Sequence, residues 1–199
     1  MKVLQRALSQ VPTYENVQYE LRDSQGNLKP LFQDYRLTQF LIKKGWLSPL
    51  WINSAYAPRI SPFLGRWSTQ KRVRNLVTTV GKALIAGRIN GSGAPAAATY
   101  IAVGTGTTAA AAGDTTLQTE TTTSGLGRTA GTVSLVTTST TNDTAQITNT
   151  FSVTGTVAVT ESGLFNAASS GTMETHQVFT AINVVNGDSL TITWKVQAS

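Results

Sequence analysis

His176, which follows Met173-Glu174-Thr175, is the only histidine of the chain and the residue with the broadest chemical repertoire. A histidine near a carboxylate can supply half of a metal site or an acid–base pair. The sequence holds no second histidine and no cysteine, so the ligand count of a zinc site falls short. A Ser–His–Asp triad would need this same histidine, and the Gly-x-Ser-x-Gly motif does not occur. We therefore expect a structural or solvent-facing His176, with no catalytic residue and no metal site.

Glycoside hydrolysis needs only two carboxylates, so the acidic residues of the second half also count as candidates. Asp143 and Asp188 lie in predicted turns, where hydrogen bonds to the local backbone explain them. Glu161 precedes Ser162-Gly163 at the end of a predicted strand. No spacing pairs any two of the six, and we expect most of them to be solvated turn residues. The six are Asp114, Glu120, Asp143, Glu161, Glu174 and Asp188.

Gly104-Thr105-Gly106 follows an apolar predicted strand, as the first glycines of a dinucleotide-binding loop do. The third glycine of that motif and the helix that should follow are missing. The sequence therefore predicts no cofactor.

The 199 residues suffice for one domain and a small second unit. Charged residues make up 13% of the chain, against roughly 25% in globular proteins. Threonine (32 residues) and glycine (17 residues) replace them, a composition that favours strands and turns. We see neither a secretion signal nor an apolar run long enough to span a membrane, and we expect a protein that folds in the cytoplasm without membrane insertion.

Charge divides the chain into two unequal parts. Residues 1–90 hold 14 of the 16 Lys and Arg residues but only four of the ten Asp and Glu residues. The small-residue stretch 91–98 is typical of a linker. We predict a basic N-terminal region, 1–90, followed by a Thr-rich β domain, 91–199.

The N-terminal region is predicted to contain short, varied elements. Alternation over 17–22, turn residues at 23–27 and Leu28–Phe32 predict a hairpin. Residues 35–44 predict a short helix that ends at Gly45. Three prolines in the apolar segment 46–67 predict an extended arm, and residues 68–88 predict an amphipathic helix with a basic outer face.

The second half predicts a series of short strands bounded by Gly, Asn, Asp or Ser. Leu190, Ile192, Trp194 and Val196 alternate with polar residues, and Asn186-Gly187-Asp188 predicts a hairpin turn before them. The run 105–124 is predicted to be a long surface loop. We predict a mainly β protein whose C-terminal domain is an antiparallel β-sandwich or barrel. The predicted strands are 100–103, 132–137, 145–153, 156–160, 177–180, 182–185 and 190–196.

The basic residues near Trp67 allow three interpretations. They could grip phosphates beside an aromatic ring, as in single-strand binding. They could be the solvated face of a helix. They could also dock an acidic protein, and the acidic half of another copy would qualify. The residues are Arg66, Lys71, Arg72, Arg74, Lys82 and Arg88.

Several strings, taken in their order, resemble a group of tailed-bacteriophage virion proteins commonly described as tail-fibre or minor structural proteins. The resemblance covers about residues 73–197, and the turn 23–27 looks like the start of that group, whereas 46–67 is an added segment. The strings are NLVTTVG at 75–81, YIAVGTGTT at 100–108, TLQTE at 116–120, AVTESGLFNA at 158–167 and QVF at 177–179.

This resemblance implies a non-enzymatic structural component of a virion, without cofactors. We expect its partners to be other virion proteins and copies of itself. An apolar arm suits attachment to neighbouring subunits, because each buried large side chain contributes roughly 1.5–3 kcal/mol. The predicted interface residues are the aromatic Trp46, Trp51, Tyr56, Phe63 and Trp67 and the basic Arg66, Arg72 and Arg74.

Three other roles stay open at this point. A capsid decoration protein would use the same β module, and the sequence does not assign the chain to head, neck or tail. A host-surface adhesin would use the loops 105–124 and 166–176. A nucleic-acid-binding accessory protein would use the basic segment 66–88.

Overall fold

Antiparallel strands are the main secondary structure of the described residues. The computed structural model describes residues 14–54, 57–74, 76–93 and 95–197. Its strands are β1 (Tyr14–Arg22), β2 (Leu31–Asp34), β3 (Gly65–Ser68), β4 (Lys71–Arg74), β5 (Leu76–Val77), β6 (Tyr100–Gly104), β7 (Thr129–Ala130), β8 (Thr132–Val136), β9 (Thr144–Ser152), β10 (Val157–Phe165), β11 (Met173–Val184) and β12 (Ser189–Gln197). The mainly β class is confirmed.

Two five-stranded sheets and one two-stranded ribbon account for these strands. Sheet 1 has the order β4-β1-β12-β9-β8, and sheet 2 has the order β5-β11-β10-β6-β7. The ribbon pairs β2 with β3. Neither sheet closes on itself within the described residues. Strands from both sides of the predicted boundary at 91–98 therefore share each five-stranded sheet.

One cluster of buried apolar side chains forms the main core of the described residues. Period-2 alternation sends Leu190, Ile192 and Trp194 of β12 inward, as predicted, and all three are fully buried. They belong to one apolar cluster with Val17 and Tyr19 of β1. The same cluster takes side chains from strands of both sheets.

Within the described part of the chain, three α-helices and one 3₁₀ helix connect the strands. They are α1 (Arg36–Lys43), the 3₁₀ helix (Pro49–Asn53), α2 (Ala57–Leu64) and α3 (Thr79–Asn90). The prediction of a helix over 35–44 is confirmed, and Gly45 ends it with φ +71°. The buried residues of α1 are Thr38 and Ile42, because the Thr38 hydroxyl donates a hydrogen bond to the Leu64 carbonyl and rotates this face inward.

The predicted N-terminal hairpin is wrong in its pairing. The turn at 23–27 forms, with the Asp23 carboxylate accepting hydrogen bonds from the backbone N–H groups of Gln25 and Asn27. Beyond one bridge between Arg22 and Leu28, however, the two strands part. β1 pairs with β12 and β4, whereas β2 pairs with β3.

The segment 46–67 is not an extended arm over the residues described. Pro49 is the first residue of the 3₁₀ helix and Pro62 lies inside α2. Short helices therefore accommodate these two prolines. Trp51, Ala57 and Phe32 form a small apolar cluster of their own. The apolar content of the segment is thus partly used within the chain.

The predicted helix over 68–88 begins only at Thr79. Lys71 and Val73 are buried and Arg72 and Arg74 are exposed, so β4 follows the period of a strand. The Thr78 hydroxyl accepts a hydrogen bond from the Gly81 N–H and caps α3. The apolar residues 73, 76 and 77 match a helical stripe by coincidence.

The turn at 186–188 forms but joins no hairpin. Gly187 has φ +87°, as a tight turn of this kind requires. The two strands that it connects, β11 and β12, belong to different sheets. The predicted strands 177–180 and 182–185 are parts of the single strand β11.

A buried ion pair joins β4 to the ribbon and to sheet 2. Lys71 Nζ lies 2.8 Å from Asp34 Oδ2 and 2.8 Å from the Phe32 carbonyl oxygen, with both charged side chains almost fully buried. The Thr180 hydroxyl donates to Asp34 Oδ1 over 2.6 Å and accepts from Trp51 Nε1 over 3.0 Å. Burial lowers the pKa of Lys71, and the Asp34 carboxylate partly counters this shift.

We predict that Lys71→Met lowers the free energy of unfolding by about 3–5 kcal/mol, because it leaves the buried Asp34 carboxylate without its counter-ion. Urea unfolding measures this change. Lys82→Met, at an exposed position of α3, is the matched control and should change stability by no more than about 0.5 kcal/mol.

Adding Asp34→Asn to Lys71→Met should recover part of the loss, because the buried charge disappears while an acceptor for Thr180 remains. Equal stability of wild type and Lys71→Met would contradict the structural role of this pair.

Candidate functional site

His176 lies on β11 with its side chain fully buried between two carboxylates. Its Nδ1 is 2.8 Å from Asp114 Oδ2, and its Nε2 is 3.1 Å from Glu161 Oε2. Burial alone would lower the pKa of His176, but hydrogen bonds and charge attraction from Glu161 and Asp114 outweigh it and raise the pKa. Both ring nitrogens are therefore engaged, and the arrangement stabilises an imidazolium rather than a general base.

The Glu161 carboxylate also holds the loop 105–119 against β10. Its oxygens accept hydrogen bonds from the backbone N–H groups of Gly106 (3.0 Å), Thr119 (2.8 Å) and Gln118 (3.1 Å). Burial raises the pKa of Glu161, but the His176 hydrogen bond and these backbone donors outweigh that effect and lower it. The predicted surface loop is thus fixed at its base by a buried charge.

Gly104 and Gly106 have a structural explanation at the same place. A Cβ atom at either position would collide with Glu161 Oε1. The glycines are needed so that the buried carboxylate can approach the backbone.

The expectation that most of the six carboxylates are solvated is wrong, because three of the six are buried. Glu161, Glu174 and Asp188 are buried. Asp188 accepts from the Val185 N–H and lies 2.7 Å from Lys29 Nζ. Asp143 behaves as predicted, since the N–H groups of residues 138–140 donate to its carboxylate and hold its pKa far below the usual range. Among the described residues, no group of three or more His, Cys, Asp or Glu side chains is arranged to hold a metal ion.

The predicted aromatic interface residues divide into buried and exposed ones. Trp51 is only 5% exposed and packs edge-on against Phe32 with ring centroids 5.0 Å apart, so its assignment to an interface is wrong. Trp46, Phe63 and Trp67 are 72%, 76% and 58% exposed. Tyr56 lies outside the described residues.

The predicted basic residues Arg66, Arg72 and Arg74 are all exposed. Arg72 and Arg74 lie on the outer face of β4, where they line a cleft of about 440 Å³ together with Arg36. The Gln33 side chain joins the ribbon to β4, because its amide donates to the Arg72 carbonyl and accepts from the Arg72 N–H. Arg66 lies opposite Gln33 on β3. The four guanidinium groups therefore share one region of the surface.

Sequence reasoning missed the contribution of α1 to this surface. Leu37 and Phe40 are 56% and 47% exposed, because Thr38 and Ile42 take the buried face. The Phe40 and Trp46 rings meet edge-on at 6.0 Å. We call the exposed aromatic, leucine and arginine side chains that α1, α2, β3, β4 and the segment after α1 contribute the aromatic-basic face; they are Arg36, Leu37, Phe40, Trp46, Phe63, Arg66, Trp67, Arg72 and Arg74.

A scan against protein-family models finds no matching family, and no curated protein or solved structure matches the chain. None of the described helices is long and apolar enough to cross a membrane.

We predict that Glu161→Gln loosens the loop 105–119, because the amide cannot balance the buried imidazolium and accepts fewer backbone hydrogen bonds. Hydrogen exchange of the Gly106, Gln118 and Thr119 amides should become faster than in wild type. Glu20→Gln, which alters only a solvent-exposed pair with Arg22, should leave these amides unchanged. Unchanged exchange in Glu161→Gln would refute the role given to this carboxylate.

We predict that the buried Glu174 side chain makes stability fall as the pH rises. Burial raises the pKa of Glu174 to about 7, above its value in the unfolded chain. The contribution of Glu174 to the free energy of unfolding is therefore complete below about pH 4.5. It is lost as the pH rises through 7, a change of roughly 3 kcal/mol. Urea unfolding of wild type and Glu174→Gln between pH 5 and 8 measures it. The stability of the variant should rise relative to wild type over this range, and a constant difference would contradict the prediction.

Proposed function

We propose that this chain is a non-enzymatic structural protein of a tailed-phage virion, attached to neighbouring particle subunits through its aromatic-basic face. A tail, fibre or neck accessory role is favoured. The observation that carries the proposal is the exposure of Trp46, Phe63 and Trp67, each more than half exposed, on the stretch 36–74 that also carries the exposed Arg36, Arg66, Arg72 and Arg74. Aromatic and arginine side chains dominate the binding energy of protein interfaces.

The rest of the molecule supports a role as a rigid scaffold. We interpret the two sheets that share one core as a β-sandwich. The Asp114–His176–Glu161 cluster occupies both nitrogens of the only histidine, which leaves this group without a free site for proton transfer. Such a molecule is suited to presenting a fixed surface to a partner.

The shared cleft of Arg36, Arg72 and Arg74 favours a second candidate, a nucleic-acid-binding accessory protein. Phosphate contacts release counter-ions, so binding through them weakens steeply with salt. Docking of large apolar side chains responds much less to salt. The salt dependence of attachment therefore separates the two candidates.

We predict that the triple variant Trp46→Ala, Phe63→Ala, Trp67→Ala is absent from assembled particles, because loss of several interface aromatics costs at least about 2 kcal/mol each. Quantitative mass spectrometry of purified particles, with heads and tails separated, measures incorporation. Leu28→Ala with Val185→Ala, two residues of similar apolar character that are 41% and 43% exposed, is the control and should incorporate normally.

Two results would count against the proposal. Normal incorporation of the triple variant would exclude the aromatic-basic face as the attachment surface, and absence of wild type from both fractions would exclude a virion protein. Hundreds of copies on heads would identify a decoration protein instead of a tail or neck component. Loss of incorporation only after Arg72→Gln with Arg74→Gln, together with steep salt dependence, would favour the nucleic-acid candidate.

A further inference from the structure

A second apolar surface lies on the opposite edge of sheet 1 and has no counterpart in the proposed function. It is a groove of about 310 Å³ between α3 and the strands β9 and β12. Ile85 and Ile89 of α3 line one wall, and Ala145, Ile147 and Val196 line the other. Ile89 is 82% exposed, although the groove beside it is apolar.

The edge strand β8 widens this groove. Val133 pairs with Ile147 and Leu135 pairs with Ala145, so both side chains lie on the same face of the sheet as the groove wall. They are 59% and 63% exposed. β8 contains neither a charged residue nor a proline, the devices that normally protect a free edge. An apolar groove beside an unprotected edge is expected to be covered.

The position of β1 identifies a segment that can cover it. Tyr14, the first residue of β1, pairs with Gln197, Gln197 pairs with Thr144, and Thr144 pairs with Val136. Tyr14 therefore lies in the same row of paired residues as Val136. The chain enters sheet 1 at the end of the sheet where Leu135 also lies. Three strand spacings, roughly 14 Å, separate Tyr14 from β8. The thirteen residues that precede Tyr14 span up to about 43 Å when extended, so they can reach the groove.

The composition of residues 1–13 matches the groove. The segment contains the apolar residues Val3, Leu4, Ala7, Leu8 and Val11, two basic residues and no acidic residue. The one carboxylate that lines the groove is Glu174. The basic side chain at the rim, Arg88, donates to the Pro95 carbonyl and is thus already engaged.

We propose that residues 1–13 of the chain itself dock on the groove between α3 and β8 and cover Val133, Leu135 and Ile89. Tethering favours the chain's own segment, because attachment at Tyr14 keeps its local concentration high. The proposal is independent of the aromatic-basic face, which belongs to other elements.

Disulfide trapping in the full chain tests the contact. Because the sequence has no native cysteine, the two introduced cysteines can form a disulfide only with each other or with those of another copy. Leu8→Cys is combined with Leu135→Cys, and under mild oxidation an intramolecular disulfide should form. Leu8→Cys with Val185→Cys is the control. Val185 lies near Ser189 at the other end of sheet 1, about 27 Å from Tyr14 along the strands, beyond the roughly 20 Å that six extended residues span.

Hydrogen exchange of the β8 amides provides the second measurement. In Leu4→Asp with Leu8→Asp, these amides should exchange at least about tenfold faster than in wild type, which corresponds to a loss of about 1.4 kcal/mol of docking free energy. Gln5→Asp with Gln10→Asp adds the same charge without removing apolar residues and should exchange like wild type. Equal exchange in all three proteins would overturn the proposal. So would trapping that is intermolecular, or β8 protection that rises with protein concentration, because either result assigns the groove to a second copy.

Discussion

The buried pair of Lys71 and Asp34 is the constraint on which the arrangement of the other elements depends. Removing two charges from water is costly, and the pair is tolerated because each charged atom has partners of good geometry. Lys71 Nζ reaches Asp34 and the Phe32 carbonyl, while Thr180 supplies a hydroxyl hydrogen bond to the second Asp34 oxygen. These residues come from β4, β2 and β11, so the pair forms only when sheet 1, sheet 2 and the ribbon are all in place.

The same network determines where the aromatic-basic face lies. Trp51 donates to Thr180 and packs against Phe32, which seats the 3₁₀ helix on β11. The Phe32 ring also packs edge-on against the Trp67 ring, with centroids 5.5 Å apart. This contact holds Trp67 in place at the surface. α1 begins two residues after Asp34, so its exposed Leu37 and Phe40 are carried along with the ribbon. The buried polar network thus fixes the positions of exposed apolar side chains of the aromatic-basic face.

Local sequence patterns located the longer strands and α1, because period 2, period 3.6 and the glycine after α1 depend on near neighbours. They failed where a partner distant in sequence decides the outcome. Lys71 looked like a solvated lysine of a helix because nothing near it in sequence indicates Asp34. Trp51 looked like an interface residue for the same reason, since its partner Thr180 lies on β11. The turn at 186–188 was correct locally, but no local signal shows that β11 and β12 join different sheets.

The distribution of acidic side chains bears on the nature of the partner. The second half of the sequence has an acidic excess, which made another copy of the chain a candidate to bind the arginines. Within the described residues, however, Glu161, Glu174 and Asp188 are buried, and Glu120 is held by Arg128 in a paired contact with distances of 2.9 and 2.6 Å. Asp114 is engaged by His176. Little of this negative charge faces solvent, so, for the attachment that we propose, charge complementarity favours a different protein over a second copy as the partner of Arg36, Arg66, Arg72 and Arg74.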